Sequence, residues 1–223
     1  QGTTAAACCR AGRHRVATAR RPCEPASPMA TLILIRHGQS LGNAERRFTH
    51  GPDEPLTEQG REEARAAGRL VLAHHRPVAL YASPFVRAVE TARLIGEVVG
   101  LAPELVEDLR EQFFGKLHGQ PYSSYTAAAE AAGTPRWERR PPGGESLVEV
   151  ARRAGPALDA IARRHAGQSV VVVSHGGVMA ALRGHAAGDL VSEPEVPRNA
   201  AGWLLTHDGR RYAGPFPIDA PPR

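Results

Sequence analysis

The chain has 223 residues, 42% of them apolar, and a formal charge of +5, which suits one globular domain with an appendage. No apolar run approaches the roughly 18 residues that a membrane-spanning helix needs, so no membrane association is expected. The positive charge belongs to the first 28 residues, where Arg10, Arg13, Arg15, Arg20 and Arg21 stand against Glu24 alone; the near-neutral remainder argues against nucleic acid as a partner.

Residues 1–28 lack helical or strand periodicity and precede Met29, the first methionine. They read as a disordered or non-native leader, with a transit peptide as the rival reading because such segments are rich in arginine and poor in acid. Cys8, Cys9 and Cys23 all lie there, and residues 29–223 contain no cysteine. No disulfide framework or thiolate metal site is therefore available to the main domain, which fits a reducing compartment and a cytoplasmic location.

Along the main domain, Thr31 to Ile35 predicts a buried strand and Gln39 to Pro55 a turn-rich loop. Thr57 is a candidate N-cap for a helix to His75, with Ala64, Ala67, Gly68, Val71 and Leu72 on one face. Val78 to Ala82 is a second strand, followed by a helix with Pro84 in its first turn and its end near Val99. Glu104 to Glu107 is a short strand. Residues 112–144 form a lid-like insertion, irregular apart from a short Ala-rich helix near 123–132. Glu145 to His165 predicts a long amphipathic helix bent at Gly155 and Pro156. Val170 to Val173 is a strand, Gly177 to Ala187 a helix, and Gly202 to His207 with Arg211 to Gly214 a hairpin across Asp208 and Gly209. Strands alternating with helices imply an α/β fold, a three-layer αβα sandwich around a mostly parallel sheet.

Two strands end in matching chemistry. The first runs into Arg36, His37 and Gly38, the fourth into Ser174, His175, Gly176 and Gly177. In parallel sheets, ligands bind beyond the carboxyl ends of the strands. Gly38 lets the chain turn and lets a ligand approach the backbone. A neutral imidazole held in one orientation is a nucleophile at ordinary pH. Arginine matches oxyanions with paired hydrogen bonds, so Arg36, and Arg87 from the helix after the second strand, suit a phosphoryl group. His175 adds a further cationic or donor group, Asn43 a neutral donor, and the amides of Gly176 and Gly177 open a helix whose dipole favours an anion. Such a cluster is an electrostatic cradle for phosphoryl transfer.

These residues resemble the histidine phosphatase superfamily, the phosphoglycerate mutase-like fold. The resemblance rests on five blocks in order between Thr31 and Leu205: Leu34 to Asn43, Leu56 to Gly60, Ser83 to Ala92, Leu109 to Gly119, and Val172 to Gly176. The resemblance implies that His37 becomes phosphorylated, that Arg36, Arg87 and His175 bind the phosphoryl group with help from Asn43, and that Glu111 donates the proton to the leaving oxygen. Glu107 and Asp108 compete for that last role; Gly115 and Gly119 follow Glu111 at the family spacing. The resemblance also separates phosphatases from mutases. Where mutases carry a tryptophan, this chain has Gly42; after the acid it has Gln112, Phe113 and Phe114 instead of an arginine and a tyrosine; after the second histidine-glycine pair it has Gly177 instead of asparagine; and its insertion is shorter. The expected activity is hydrolysis of a small phosphomonoester. A phosphoglycerate mutase-type phosphotransferase is the alternative, and an inactive phospho-ligand binder the second alternative.

In the insertion, Lys116, Arg136, Arg139 and Arg140 are candidates to meet a second anionic group, while Phe113, Phe114 and Trp137 either pack the segment or touch an apolar substrate part. His74 and His75 point to different sides of a helix, and His50, His118, His165, His185 and His207 have no partner at metal spacing, so neither a metal nor a cofactor is expected. Oligomeric state is open, with a homodimer as one option.

Overall fold

A computed structural model describes residues 28–49, 51–125 and 133–219. The predicted leader up to Ser27, His50 and most of the predicted Ala-rich helix lie outside the described residues.

Six strands, β1 (Ala30–Arg36), β2 (Pro77–Ala82), β3 (Pro103–Leu105), β4 (Ser169–Ser174), β5 (Gly202–His207) and β6 (Tyr212–Phe216), form one sheet in the order β3-β2-β4-β1-β5-β6. The first four in that order run parallel, and β5 pairs antiparallel with β1 on one side and with β6 on the other. The helices are α1 (Leu41–Ala44), α2 (Glu58–His74), α3 (Val86–Val99), α4 (Leu147–Arg164) and α5 (Gly176–Ala187). The expected α/β sandwich is the observed fold.

The uninterrupted apolar runs of β1 and β4 follow from burial on both faces. Leu32, Leu34, Val170 and Val172 pack with Val150, Ala154 and Leu158 of α4 and Met179 and Leu182 of α5. The alternate residues Ile33, Ile35, Val171 and Val173 pack with Val71 of α2 and Ala88, Ala92 and Ile95 of α3. Each large aliphatic side chain buried this way contributes roughly 1.5–3 kcal/mol, so the centre of the sheet is a stiff platform. Arg36 pairs in register with Ser174, and Ala82 with Val173, so β1, β4 and β2 end at one level.

Several boundaries differ from expectation for local reasons. Thr57 does cap α2, its Oγ1 accepting from the Gly60 amide at 3.1 Å, but Leu72 is exposed rather than on the buried face. Pro84 lies outside α3, because Phe85 stays extended with its amide donated to Ser83 Oγ and the helix begins at Val86. Strand β3 stops at Leu105, ahead of a 3₁₀ turn at Glu107–Leu109. Helix α4 starts at Leu147, because Ser146 and Glu149 form a reciprocal capping box. The loop after β1 contains α1, and the Asp208 carboxylate accepts from the amides of Arg210 and Arg211 to close the β5–β6 hairpin.

Candidate active site

The level ends of β1, β2 and β4 open into a cavity of about 360 Å³. Arg36, His37, Asn43, Arg87, Glu111 and Gly176, six of the seven residues singled out in the sequence, line it.

His37 follows β1 directly, and its backbone is held on both sides. Its amide donates to Ser174 O at 2.8 Å, and its carbonyl accepts from Ala200 N and from Asn199 Nδ2, each at 3.1 Å. The Nδ1 atom lies 2.7 Å from Gly38 O. A carbonyl only accepts, so Nδ1 carries the proton and Nε2 keeps its lone pair. Arg87 Nε donates to that Nε2 at 3.3 Å, which requires the same tautomer. Burial and the neighbouring cations Arg87 and Arg36 hold the imidazole well below the usual histidine range, so it is neutral at pH 7.

Arg87 comes from the first turn of α3. Its Nη1 donates to Gly51 O at 3.1 Å and its guanidinium lies 5.2 Å from the centre of the Phe85 ring. Arg36 Nη1 donates to Pro197 O at 2.9 Å, while Nε is buried with no hydrogen-bond partner among the described residues. Buried donors are almost always satisfied, so this one at the cavity points to an acceptor that the described residues do not supply. Burial lowers the pKa of both arginines from the usual value, with Glu111 opposing; both remain cations.

Asn43, the last residue but one of α1, accepts at Oδ1 from Ser40 N, Ser40 Oγ and Asn199 Nδ2, which fixes the amide so that Nδ2 donates to Tyr122 Oη at 3.0 Å. Glu111 is half-buried beside the first turn of α5: a Cβ added at Gly177 would lie 2.9 Å from its Oε1. Burial raises its pKa above the usual carboxylate value, opposed by Arg87, the Gln112 amide and Arg36. Its rivals Glu107 and Asp108 are exposed, lie 3.8 and 3.6 Å from Arg110, and do not line the cavity.

His175 was expected as a further cationic or donor group, and the cationic half of that expectation does not hold. The residue occupies the N-cap position of α5 and is fully buried, its ring 5.1 Å from that of His37. Its Nε2 is 2.7 Å from Ser83 Oγ, and its Nδ1 has no partner among the described residues. Burial, then Arg87, then His37 hold its pKa well below the usual range, so it is a neutral imidazole and not a cation. Gly38 also serves a different purpose from the one expected: a Cβ there would collide with the Gly60 carbonyl, so the glycine admits the start of α2 rather than a ligand.

Sequence reasoning missed Tyr122, a lone tyrosine in irregular sequence, and Asn199, which no periodicity marks. It also missed Ser83 as the partner of His175, although Ser83 stood in a block already identified. In the insertion, Arg136 lines the cavity, whereas Lys116, Arg139 and Arg140 do not. Trp137 packs, its Nε1 donating to Ser192 O at 2.6 Å, and Phe114 stacks on Phe48 at 4.4 Å.

The family model of the histidine phosphatase superfamily (branch 1) matches residues 32–212. The chain belongs to that superfamily. Among its relatives, a 2,3-bisphosphoglycerate-dependent phosphoglycerate mutase 2 of Gloeobacter violaceus is 39% identical over 164 residues, covering 69% of this chain and 74% of that protein. A metal-independent phosphoserine phosphatase of Arabidopsis thaliana is 34% identical over 169 residues, covering 70% and 68%. A solved mycobacterial glucosyl-3-phosphoglycerate phosphatase superposes with a TM-score of 0.72 at 27% identity, covering 83% of this chain and 96% of that one. This histidine phosphatase superfamily member thus has both mutases and phosphatases among its relatives, and its family acts on phosphorylated substrates.

Proposed function

We propose that the protein is a phosphomonoesterase working through a phosphohistidine on His37, the product of attack by Nε2 on the substrate phosphorus. The observation that carries this reading is the tautomer of His37: Nδ1–H is committed to Gly38 O, leaving a lone pair on Nε2 at the cavity beside Arg87. Arg36 and Arg87 take the phosphoryl oxygens, the unmet Nε of Arg36 among their donors. Asn43 and the Gly176 amide add neutral donors. His175, neutral and braced by Ser83, supports the ring of His37 and the phosphoryl group from behind.

Glu111 protonates the leaving oxygen. A carboxyl group whose burial raises its pKa is suited to that task, and a phosphate dianion beside it raises it further. The same carboxylate then takes a proton from the water that attacks the phosphohistidine, releasing inorganic phosphate. The positive charge that the transfer needs is supplied by side chains, so no cofactor enters the scheme, and the enzyme is read as cytoplasmic.

Hydrolysis and mutase-type transfer share the first half of this scheme. The glycines at 42 and 177 and the sequence Gln112 to Phe114 favour water as the acceptor. The test is a panel of phosphomonoesters scored for free phosphate, alongside conversion of 3- to 2-phosphoglycerate, with His37→Ala as control. Phosphate release abolished by His37→Ala is expected. Interconversion without net phosphate release would make the protein a mutase, and binding without turnover would make it a phospho-ligand binder.

A further inference from the structure

Beyond the phosphate cradle the cavity changes character. Phe48 is the hub of an aromatic wall, with ring centres of Phe114, Tyr122 and Tyr125 at 4.4, 5.0 and 6.1 Å from its own. All four line the cavity. The wall is built from two segments tied by backbone: Phe48 N donates to Gln120 O, Gly119 N donates to Phe48 O, and Arg47 bridges to Pro121. It is joined to the cradle, because Tyr122 Oη accepts from Asn43. Leu147, Ala180 and Val196 add further apolar lining.

Charge points the same way. A second anionic group on the substrate needs a cation beyond Arg36 and Arg87, and among the described residues lining the cavity the only other one is Arg136, already paired with Glu193. Arg139 Nε is spent on Thr134 O at 2.7 Å and Arg140 on Glu149. Residues 126–132 contain no lysine or arginine. Glu111 on the same wall adds no positive charge. The remaining polar lining, Thr49 and Gln112, is uncharged.

We infer that the leaving group is an uncharged alcohol with a flat or apolar ring face, seated against Phe48, Phe114, Tyr122 and Tyr125, and that phosphoglycerates and phosphoamino acids are poor substrates. Aromatic rings favour such a face through offset or edge contacts, and a desolvated wall penalises an unpaired carboxylate. This inference rests on the phosphomonoesterase reading and deepens it.

The test compares kcat/KM for 2-phenylethyl phosphate, 3-phosphoglycerate and O-phosphoserine. All three are phosphates of alkyl alcohols, so the comparison reads the leaving group's fit rather than activation by an aryl oxygen. The expected result is a kcat/KM at least tenfold higher for 2-phenylethyl phosphate. In Phe48→Ala that ratio should shrink severalfold, through KM, while inhibition by inorganic phosphate changes little. Equal or faster hydrolysis of 3-phosphoglycerate or phosphoserine would overturn the inference and leave the hydrolase reading standing. No phosphate release from any of the three would overturn the hydrolase reading and this inference with it. The wild-type comparison stands even if Phe48→Ala fails to fold.

Discussion

Arg153 sits on α4, away from the cavity lining, yet it holds the loop that carries Glu111. Its Nη1 donates to Asp108 O at 2.7 Å and its Nη2 to Glu111 O at 3.1 Å. The same guanidinium makes a two-point pair with Glu145, at 3.0 and 2.9 Å, and Glu145 in turn accepts from Phe113 N at 2.9 Å. The side chains of the pair are only 12% and 21% exposed, so solvent screens them weakly. Arg153→Ala removes these bonds and leaves the largely buried Glu145 without its main cation, a loss of about 3–5 kcal/mol when such a pair is broken from one side. Arg110, 3.9 Å from Glu145, offers partial replacement. A net loss of about 2–4 kcal/mol follows. For a chain of this size that lowers Tm by roughly 5–15 °C, at about 2–4 °C per kcal/mol. A displacement of the proposed proton donor by about 1 Å costs on the order of 10²-fold in rate, so kcat should fall about 10–100-fold with KM changed little, and Arg153→Lys should recover only part of it. Thermal melts and steady-state phosphate release read both effects. Wild-type kcat in Arg153→Ala, whatever its Tm, would refute the claim that Arg153 positions Glu111.

Glu111→Gln should lower kcat by about 10²–10⁴-fold, the usual worth of a general acid, while inhibition by inorganic phosphate persists; unchanged turnover would reassign the acid. Gly177→Ala places a Cβ 2.9 Å from Glu111 Oε1 and 3.1 Å from Gln112 Oε1, so it should cut kcat about tenfold and leave the melt nearly unchanged; a wild-type rate would show that Glu111 has room to move. Acid pH should destabilise the fold between about pH 6.5 and 5.5. His37 and His175 have depressed pKa values in the fold, so below about pH 6.5 the unfolded chain binds protons that the native state refuses. Stability is complete above that pH and falls as pH drops, at up to about 1.4 kcal/mol per pH unit for each imidazole. Glu111, whose pKa is raised, acts in the opposite sense above the ordinary carboxylate range, one group against two. Denaturant unfolding that is flat across this window would contradict the neutral imidazoles.

The parts of the fold that were legible are those where one physical pattern dominates. Four consecutive apolar residues in β1 and in β4 mean a strand covered on both faces, and both helix layers are present over them. The strand-end residues were legible because charge and imidazole after such a run have no structural reason to be there. Depth was not legible: nothing in Ser174 to Gly176 says that His175 is fully buried and neutral, since that depends on Ser83 arriving from the end of β2 to meet it. The supporting contacts were hidden for a similar reason. Asn199 reaches His37 and Asn43 across more than 150 residues of sequence, and Arg153 reaches the Glu111 loop from a helix whose pattern marks only its buried face. Outside its Ala-rich stretch the insertion of residues 112–144 carries no period, so the aromatic wall that Phe114 and Tyr122 build with Phe48 emerged only from the fold.

The central claim is a phosphoryl group carried on one imidazole nitrogen. Brief incubation with a phosphomonoester, acid-free denaturing quench and intact-mass and peptide mapping test it directly. The account predicts one phosphoryl group per chain, labile to acid and stable to base, mapped to His37 and absent from His37→Ala. Turnover with no such adduct at His37, or an adduct that survives in His37→Ala, would contradict it.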